Sequence, residues 1–172
     1  MPAITVPLHV SRPSARWRPA LAGLSKLAAG QARSVAVYDF SRIDRIDGVK
    51  AGVSARLLTT LATDMQVSRE RLFAWLGIAR ATANRRIAAD ETLSQDESER
   101  VLGLARLVGQ VQKVVTESGR LEGFDAARWT SEWLGQANAA LGGHTPGDYM
   151  DTADGRALVS GLVAQMQTGA YA

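Results

Sequence analysis

The stretch LGIARATANRRI (residues 76–87) places a glycine and a turn between two segments of helical character. The segment before it, RERLFAW, leads to Leu76, and the polar run after it is predicted to be a second helix from about Ala81 to Ala88. Two helices joined at Gly77 are the helix-turn-helix plan, whose second helix lies in the DNA major groove. The apolar residues predicted to hold these helices together are Leu72, Leu76, Ile78, Ala83 and Ile87.

Five polar side chains on the second helix are the predicted DNA contacts: Arg80, Thr82, Asn84, Arg85 and Arg86. Arginine can bond two acceptors on guanine, and asparagine can pair with adenine. The remaining arginines would meet phosphates, which position the protein without reading sequence. A basic, solvated face of an ordinary helix is the alternative that the residues alone leave open.

Helical patterning extends on both sides of this unit. Upstream, VSARLLTTLATDM (53–65) carries one apolar stripe at steps of three and four, and Ser68 is placed to cap the next helix. Downstream, Ser94 and Glu97 stand in capping-box positions before a long helix that Gly119 ends. A seam along that helix predicts intramolecular core, with pairing of two protomers as the alternative. Its members are Val101, Leu104, Val108, Val111 and Val115.

The chain after Gly119 is predicted to form short helices joined by tight connections. Asp125 is placed to cap the first of them, whose core residues would be Phe124, Trp129, Trp133 and Leu134. Thr145 and Pro146 are suited to start another helix after a glycine-rich turn. A final amphipathic helix is predicted to bury Leu158, Val159, Leu162, Val163 and Met166. Gly169 closes it and leaves a projecting tripeptide, Ala170, Tyr171 and Ala172.

The first 47 residues are predicted to be a basic, partly flexible arm. The segment SVAVYDF (34–40) has β-branched and aromatic character but no evident strand partner, so it is expected to be extended or loosely docked. The expected architecture is therefore all-α, in three regions. They are the arm (1–47), a helix-turn-helix region with its long connecting helix (48–118), and a small C-terminal helical domain (119–172).

Charge changes along the chain although the net charge is only +3. Residues 1–50 carry eight Lys and Arg against three Asp and Glu, whereas residues 94–172 carry six against ten. Because phosphates attract the first part and repel the last, the distribution favours a nucleic-acid-facing half joined to a half with another partner. Modest drift of charge along an ordinary chain is the alternative.

Composition argues against several classes of site. The 172 residues contain no cysteine, and the two histidines, His9 and His144, are far apart in sequence, so neither thiol nor metal chemistry is expected. Asp148, Asp151 and Asp154 recur every three residues and are interpreted as caps and exposed acids, not as a metal site. No cofactor is expected. The absence of a long apolar run and of a secretion signal favours a cytoplasmic protein without membrane contact.

Four segments together resemble a known family: RATANRR, LSQDESERVLGLARLV, ALGGHTPGDYMDTADGR and MQTGAYA. Over about residues 48–172 the chain is similar to the Xre/MbcA/ParS-type antitoxins of bacterial type II toxin–antitoxin systems. The resemblance implies a DNA-binding helix-turn-helix and a C-terminal toxin-binding domain. It also implies a RES-domain toxin as partner. Such toxins are enzymes whose fold is similar to that of ADP-ribosyltransferases, and they consume NAD or transfer a group from it. The antitoxin itself would not be an enzyme.

The residues and the resemblance together predict how the toxin is blocked. Freed from the last helix by Gly169, the ring of Tyr171 and the terminal carboxylate of Ala172 would follow Ala170 into the toxin's site and exclude the dinucleotide. Asp154 and Arg156 would make polar contacts nearby. The alternative is that Tyr171 folds back on the chain's own core.

Repression of its own operon by a homodimer on a palindromic operator, within a larger toxin–antitoxin complex, completes the leading hypothesis. The alternative is a stand-alone helix-turn-helix regulator whose C-terminal domain senses a ligand or another protein. An enzyme is disfavoured because no nucleophile, metal cluster or paired base can be assembled from these residues.

Overall fold

The computed structural model describes residues 31–119 and 123–168. These residues form eight α-helices, two 3₁₀ helices and an isolated β-bridge between Ser54 and Thr92. The α-helices are α1 (Gln31–Asp39), α2 (Arg42–Ala51), α3 (Arg56–Asp64), α4 (Arg69–Trp75), α5 (Arg80–Ala88), α6 (Gln95–Glu117), α7 (Ala126–Leu134) and α8 (Ala153–Thr168). The 3₁₀ helices η1 (Ala139–Leu141) and η2 (Pro146–Tyr149) lie between α7 and α8. The predicted all-α class is confirmed, and no helix in the described ranges is long and apolar enough to cross a membrane.

Helix α6 is the axis on which the other layers pack. Its start is fixed by the predicted capping box: the Ser94 hydroxyl accepts from the Glu97 amide at 3.2 Å, and the Glu97 carboxylate accepts from the Ser94 amide at 2.8 Å. Helices α1, α2, α3, α7 and α8 all contact α6. Val101, Leu104, Val108 and Val111 of the predicted seam are buried within the chain itself, and Val115 is half-buried. The seam is therefore intramolecular core, as favoured from the sequence.

The segment SVAVYDF is helical, so the expectation of an extended or loosely docked stretch is wrong. Helix α1 includes most of it, and Val37 is fully buried. Gly109 of α6 explains the close docking, because a Cβ there would overlap the carbonyl of Ser34 and the Cβ of Tyr38. Burial against a distant helix has overridden the β propensity of the segment. Residues 1–30 of the predicted arm lie outside the described residues.

The helix-turn-helix forms where it was predicted. Ser68 caps α4 by accepting from the amide of Arg71 at 3.2 Å. Gly77 adopts φ +58° in the turn, which is the left-handed conformation that glycine favours. Helix α5 then starts one residue before the predicted Ala81. Four of the five residues predicted to join the helices are buried, and Ile87 is packed against them half-buried.

The C-terminal half packs as short helices against α6 and α4. Asp125 caps α7 as predicted, and Trp129 and Trp133 stack with ring centroids 5.7 Å apart. The predicted start at Thr145 and Pro146 is the 3₁₀ helix η2. On α8, Val159, Leu162 and Val163 are buried and Met166 is partly buried, but the prediction for Leu158 is wrong because its side chain is exposed. Leu158 lies about 100° around the helix from Val159, at the edge of the buried stripe.

Three contacts join the helix-turn-helix region to α6 and to the C-terminal half. Arg100 of α6 donates from Nη1 to the carbonyls of Leu76 and Gly77, at 2.8 and 2.9 Å. The indole of Trp75 lies so close to Gly147 that a Cβ there would overlap it. The Ser131 hydroxyl on α7 donates to the carbonyl of Met65 at 2.7 Å. Both halves therefore share one packed body around α6.

Candidate functional site

Helix α5 presents two of its predicted DNA contacts most openly. Arg80 and Arg85 are exposed, whereas Thr82 and Asn84 are half-buried. Arg80 lies 3.5 Å from Glu70, and Arg85 binds Glu91 at 2.8 Å. Exposed ion pairs of this kind contribute about 0–1 kcal/mol. A phosphate could therefore replace either carboxylate at little cost.

Arg86 points back into the protein. Its Nη1 lies 2.7 Å from a Glu97 carboxylate oxygen and donates to the carbonyl of Thr92 at 3.2 Å. Its Nε is buried without a partner among the described residues. Because Glu97 belongs to the capping box of α6, this pair fixes α5 to the start of that helix. The structure thus gives Arg86 a supporting position, unlike Arg80 and Arg85.

A further arginine near α5 was not singled out from the sequence. Arg56, at the start of α3, is exposed and lies 2.8 Å from Asp90, two residues beyond the end of α5. Asp90 adopts φ +52°, and its carboxylate also accepts from the hydroxyl of Ser54 at 3.4 Å. No local pattern marks Arg56, because its approach to α5 depends on the bridge between Ser54 and Thr92.

In the C-terminal half, the two described members of the predicted toxin-binding set have different positions. Asp154 is exposed in the first turn of α8. The side chain of Arg156 is only 11% exposed and lies 2.8 Å from the Glu99 carboxylate. It also donates to the carbonyl of Met150 at 3.2 Å, and its aliphatic part lies directly against Gly103 of α6. Arg156 therefore anchors α8 to α6. The remaining members, Ala170, Tyr171 and Ala172, lie outside the described residues.

A second pair fastens the same two helices. Gln110 donates from Nε2 to the carbonyl of Ser160 at 2.9 Å, and the Ser160 hydroxyl donates to Oε1 of Gln110 at 2.6 Å. Both groups of the Gln110 amide are thereby satisfied at a largely buried position. Together with the pair of Arg156 and Glu99, these bonds fix the rotation and height of α8 on α6.

Two aspartates around η2 have structural positions: Asp148 caps η2, and Asp151 packs near the turn of the helix-turn-helix. The Asp148 carboxylate accepts from the Thr145 amide at 2.9 Å. Hydrogen bonds from the Thr145 side chain and amide lower the pKa of Asp148. Asp151 approaches Gly77 across the boundary between the two halves. Within residues 31–119 and 123–168, no group of three or more His, Cys, Asp or Glu side chains could hold a metal ion.

Comparison with known proteins connects both halves to one kind of molecule. Residues 44–106 match the antitoxin Xre-like helix-turn-helix domain, and residues 122–169 match the antitoxin Xre/MbcA/ParS C-terminal toxin-binding domain. The chain is 46% identical over 137 residues to the Prs ADP-ribosylating antitoxin of Sphingobium sp. (strain YBL2). That similarity covers 80% of this chain and 86% of the relative.

Proposed function

This chain belongs to the Xre/MbcA/ParS family of antitoxins, and we propose that it neutralises a RES-domain toxin and represses its own operon. The observation that carries the proposal is the similarity to the Sphingobium antitoxin, which spans both domains. The name of that relative refers to ADP-ribosylation of Prs, and we extend the same toxin activity and target to the partner of this chain. Family membership favours this function over a stand-alone regulator.

Toxin inhibition is proposed to depend on the last residues of the chain. Helix α8 is fastened to α6 through Arg156 and Ser160, so it gives the following residues a rigid base. A toxin that binds the pyrophosphate of NAD must present cationic groups, which would bind the carboxylate of Ala172 as well. The ring of Tyr171 would fill the apolar part of the same cavity. Asp154 is exposed in the first turn of α8, about 20 Å of helix away from the tail, so its polar contact with the toxin would lie outside that cavity, and Arg156 positions α8 through its pair with Glu99.

Removal of residues 170–172 tests this inhibition. The truncated chain should no longer protect cells that express its RES-domain toxin, nor stop ADP-ribosylation of purified Prs by that toxin. Its affinity for operator DNA should equal that of the full chain, because the removed residues lie far in sequence from α5. Undiminished inhibition of the toxin by the truncated chain would show that the tail does not block the active site.

Repression is proposed to use α5 as the groove helix, with Arg80, Thr82, Asn84 and Arg85 as the contacts. A homodimer would place two such helices on a palindromic operator, and its binding would be strongly salt-dependent. Arg85→Ala should weaken operator binding about thirtyfold or more, because the homodimer would lose one arginine contact of at least about 1 kcal/mol in each half-site.

The control for this substitution is Arg128→Ala on α7. Arg128 is as exposed as Arg85 and likewise binds a carboxylate, that of Glu132, at 2.9 Å. Fluorescence anisotropy with labelled operator should detect a loss for Arg85→Ala and none for Arg128→Ala. Equal affinities of the two variants would place the groove helix elsewhere. Neutralisation of the toxin should be unchanged in Arg85→Ala, since Arg85 lies outside the toxin-binding domain.

A further inference from the structure

A groove of about 390 Å³ lies between α2, α6 and α8, outside the helix-turn-helix. Its walls include Val49 from α2, Leu102 and Leu107 from α6, Met150 before α8, and Ala157 on α8. This volume is within the range of cavities that bind ligands or short segments. Leu102, Leu107 and Met150 are buried and form its aliphatic floor, whereas half-buried Val49 and exposed Ala157 are accessible on its walls.

The groove carries excess positive charge. Arg45, Arg106 and Arg156 line it, against the single carboxylate of Glu99 among the lining residues that the structure describes. Glu99 is already paired with Arg156 at 2.8 Å. Arg106 is exposed and has no ion pair with any described residue, while Arg45 is half-buried and donates to the carbonyl of Phe40. Two guanidinium groups of the groove therefore have no carboxylate partner among the residues that the structure describes.

The electrostatics of Arg45 agree with this geometry. Burial lowers the pKa of Arg45, and the neighbouring charges of Arg106 and Arg42 lower it further. Like charges that face one groove repel each other, and an anion between them would relieve the repulsion.

The lining also indicates which kind of anion fits. Among the described residues of the groove none is aromatic, so a nucleobase has no ring on which to stack. The side-chain donors of Gln110 and Ser160 are used on each other. Aliphatic walls below guanidinium groups instead match a peptide with aliphatic and carboxylate side chains, since a guanidinium binds a carboxylate through two parallel hydrogen bonds.

The place of the groove in the fold identifies the source of that peptide. Met150, Ala157 and the rest of the α8 wall lie within residues 122–169, which match the toxin-binding domain. The groove continues from this domain across α6 to Arg45 on α2. We infer that an acidic, aliphatic segment of the toxin binds in this groove and extends the toxin interface onto α6 and α2. The inference depends on the proposed function, because it names a second contact with the same toxin.

Charge reversal tests the inference. Arg106→Glu should weaken binding of the co-expressed, purified toxin at least about tenfold at low salt, and the loss should shrink as salt is raised. The fold should tolerate the change, because the new carboxylate lies beside Arg45. Arg69→Glu is the matched control, since Arg69 is an exposed arginine in the first turn of α4, away from the groove. It should bind the toxin like the unchanged chain.

A photo-crosslinking amino acid at Ala157 locates the bound segment directly. Ala157 is exposed on the groove wall, and the same group at Ala88 on α5 serves as the control. Crosslinks from position 157, but not from 88, should map by mass spectrometry to a toxin peptide rich in Asp, Glu and aliphatic residues. Crosslinks to no toxin peptide, or unchanged toxin affinity of Arg106→Glu, would overturn the inference alone. Failure of the unchanged chain to bind the toxin would overturn the proposed function and this inference with it.

Discussion

The ion pair between Arg86 and Glu97 is expected to stabilise the chain far more than the pair between Arg85 and Glu91. The N–O distances are nearly equal, 2.7 and 2.8 Å, but the Arg86 and Glu97 side chains are 20% and 12% exposed, against 60% and 42% for Arg85 and Glu91. Removing one partner of a buried pair costs about 3–5 kcal/mol, whereas exposed pairs contribute about 0.2–1 kcal/mol. Burial, not distance, should therefore separate the two.

The expected cost of Arg86→Met is about 2–3 kcal/mol, at or below the lower end of that range. Glu97 keeps the hydrogen bond from the Ser94 amide and the favourable field of the N-terminus of α6, so its charge is not left without compensation. The methionine keeps the aliphatic part of the side chain, which isolates the loss of charge. A change of 2 kcal/mol lowers the Tm of a chain of this size by roughly 4–8 °C.

A pair of double-mutant cycles measures the difference. One cycle combines Arg86→Met with Glu97→Gln, and the other combines Arg85→Met with Glu91→Gln, each followed by denaturant unfolding. The first coupling energy should be about 2 kcal/mol and the second about 0.5 kcal/mol or less. Equal coupling energies would refute the argument from burial. Well below the Tm, Arg86→Met should bind operator DNA like the unchanged chain, whereas Arg85→Met should bind it more weakly, because of these two arginines only Arg85 is proposed to contact DNA.

Two further predictions concern packing and pH. Gly109→Ala should destabilise the chain by about 1–3 kcal/mol in denaturant unfolding, because the methyl group would overlap the backbone of α1. Gly161→Ala is the control: a Cβ at Gly161 meets open space, so the alanine should stabilise α8 by about 0.5–1 kcal/mol. Equal changes in the free energy of unfolding would contradict the close approach of α1 to Gly109. Asp148→Asn should lower the Tm above pH 3.8, the ordinary pKa of the group, and the difference from the unchanged chain should vanish as the pH falls below it through the lowered pKa. A Tm difference that persists at low pH would assign the effect to something other than the charge of Asp148.

Features that depend on neighbouring residues could be predicted from the sequence. The caps at Ser68, Ser94 and Asp125 each act within three residues, so the residue types and their spacing were sufficient. The apolar periodicity of α6 located its buried face for the same reason. The turn at Gly77 could also be placed, since few other residues adopt its backbone conformation.

Features that depend on distant contacts could not be predicted in this way. Residues 34–39 are helical because α1 packs over Gly109, about 70 residues further along the chain. Arg86 and Arg85 are adjacent and chemically identical, yet only the fold decides which of them meets Glu97. Arg156 was expected to make a polar contact with the toxin. In the fold its guanidinium pairs with Glu99, and its side chain lies over Gly103, where there is no Cβ to obstruct it. The groove was missed because Arg45 and Arg106 come together only after α2 has packed on α6.

The shared support of both halves by α6 determines how the chain would fail under proteolysis. Arg100 supports the turn between α4 and α5 from one side of this helix, and Gln110 fixes α8 from another part of it. A single cut between these two residues would divide α6, the helix on which α1, α2, α3, α7 and α8 all pack, so both halves would lose part of their common support at once. On the proposed function, degradation would then release the toxin and end repression of the operon in the same step.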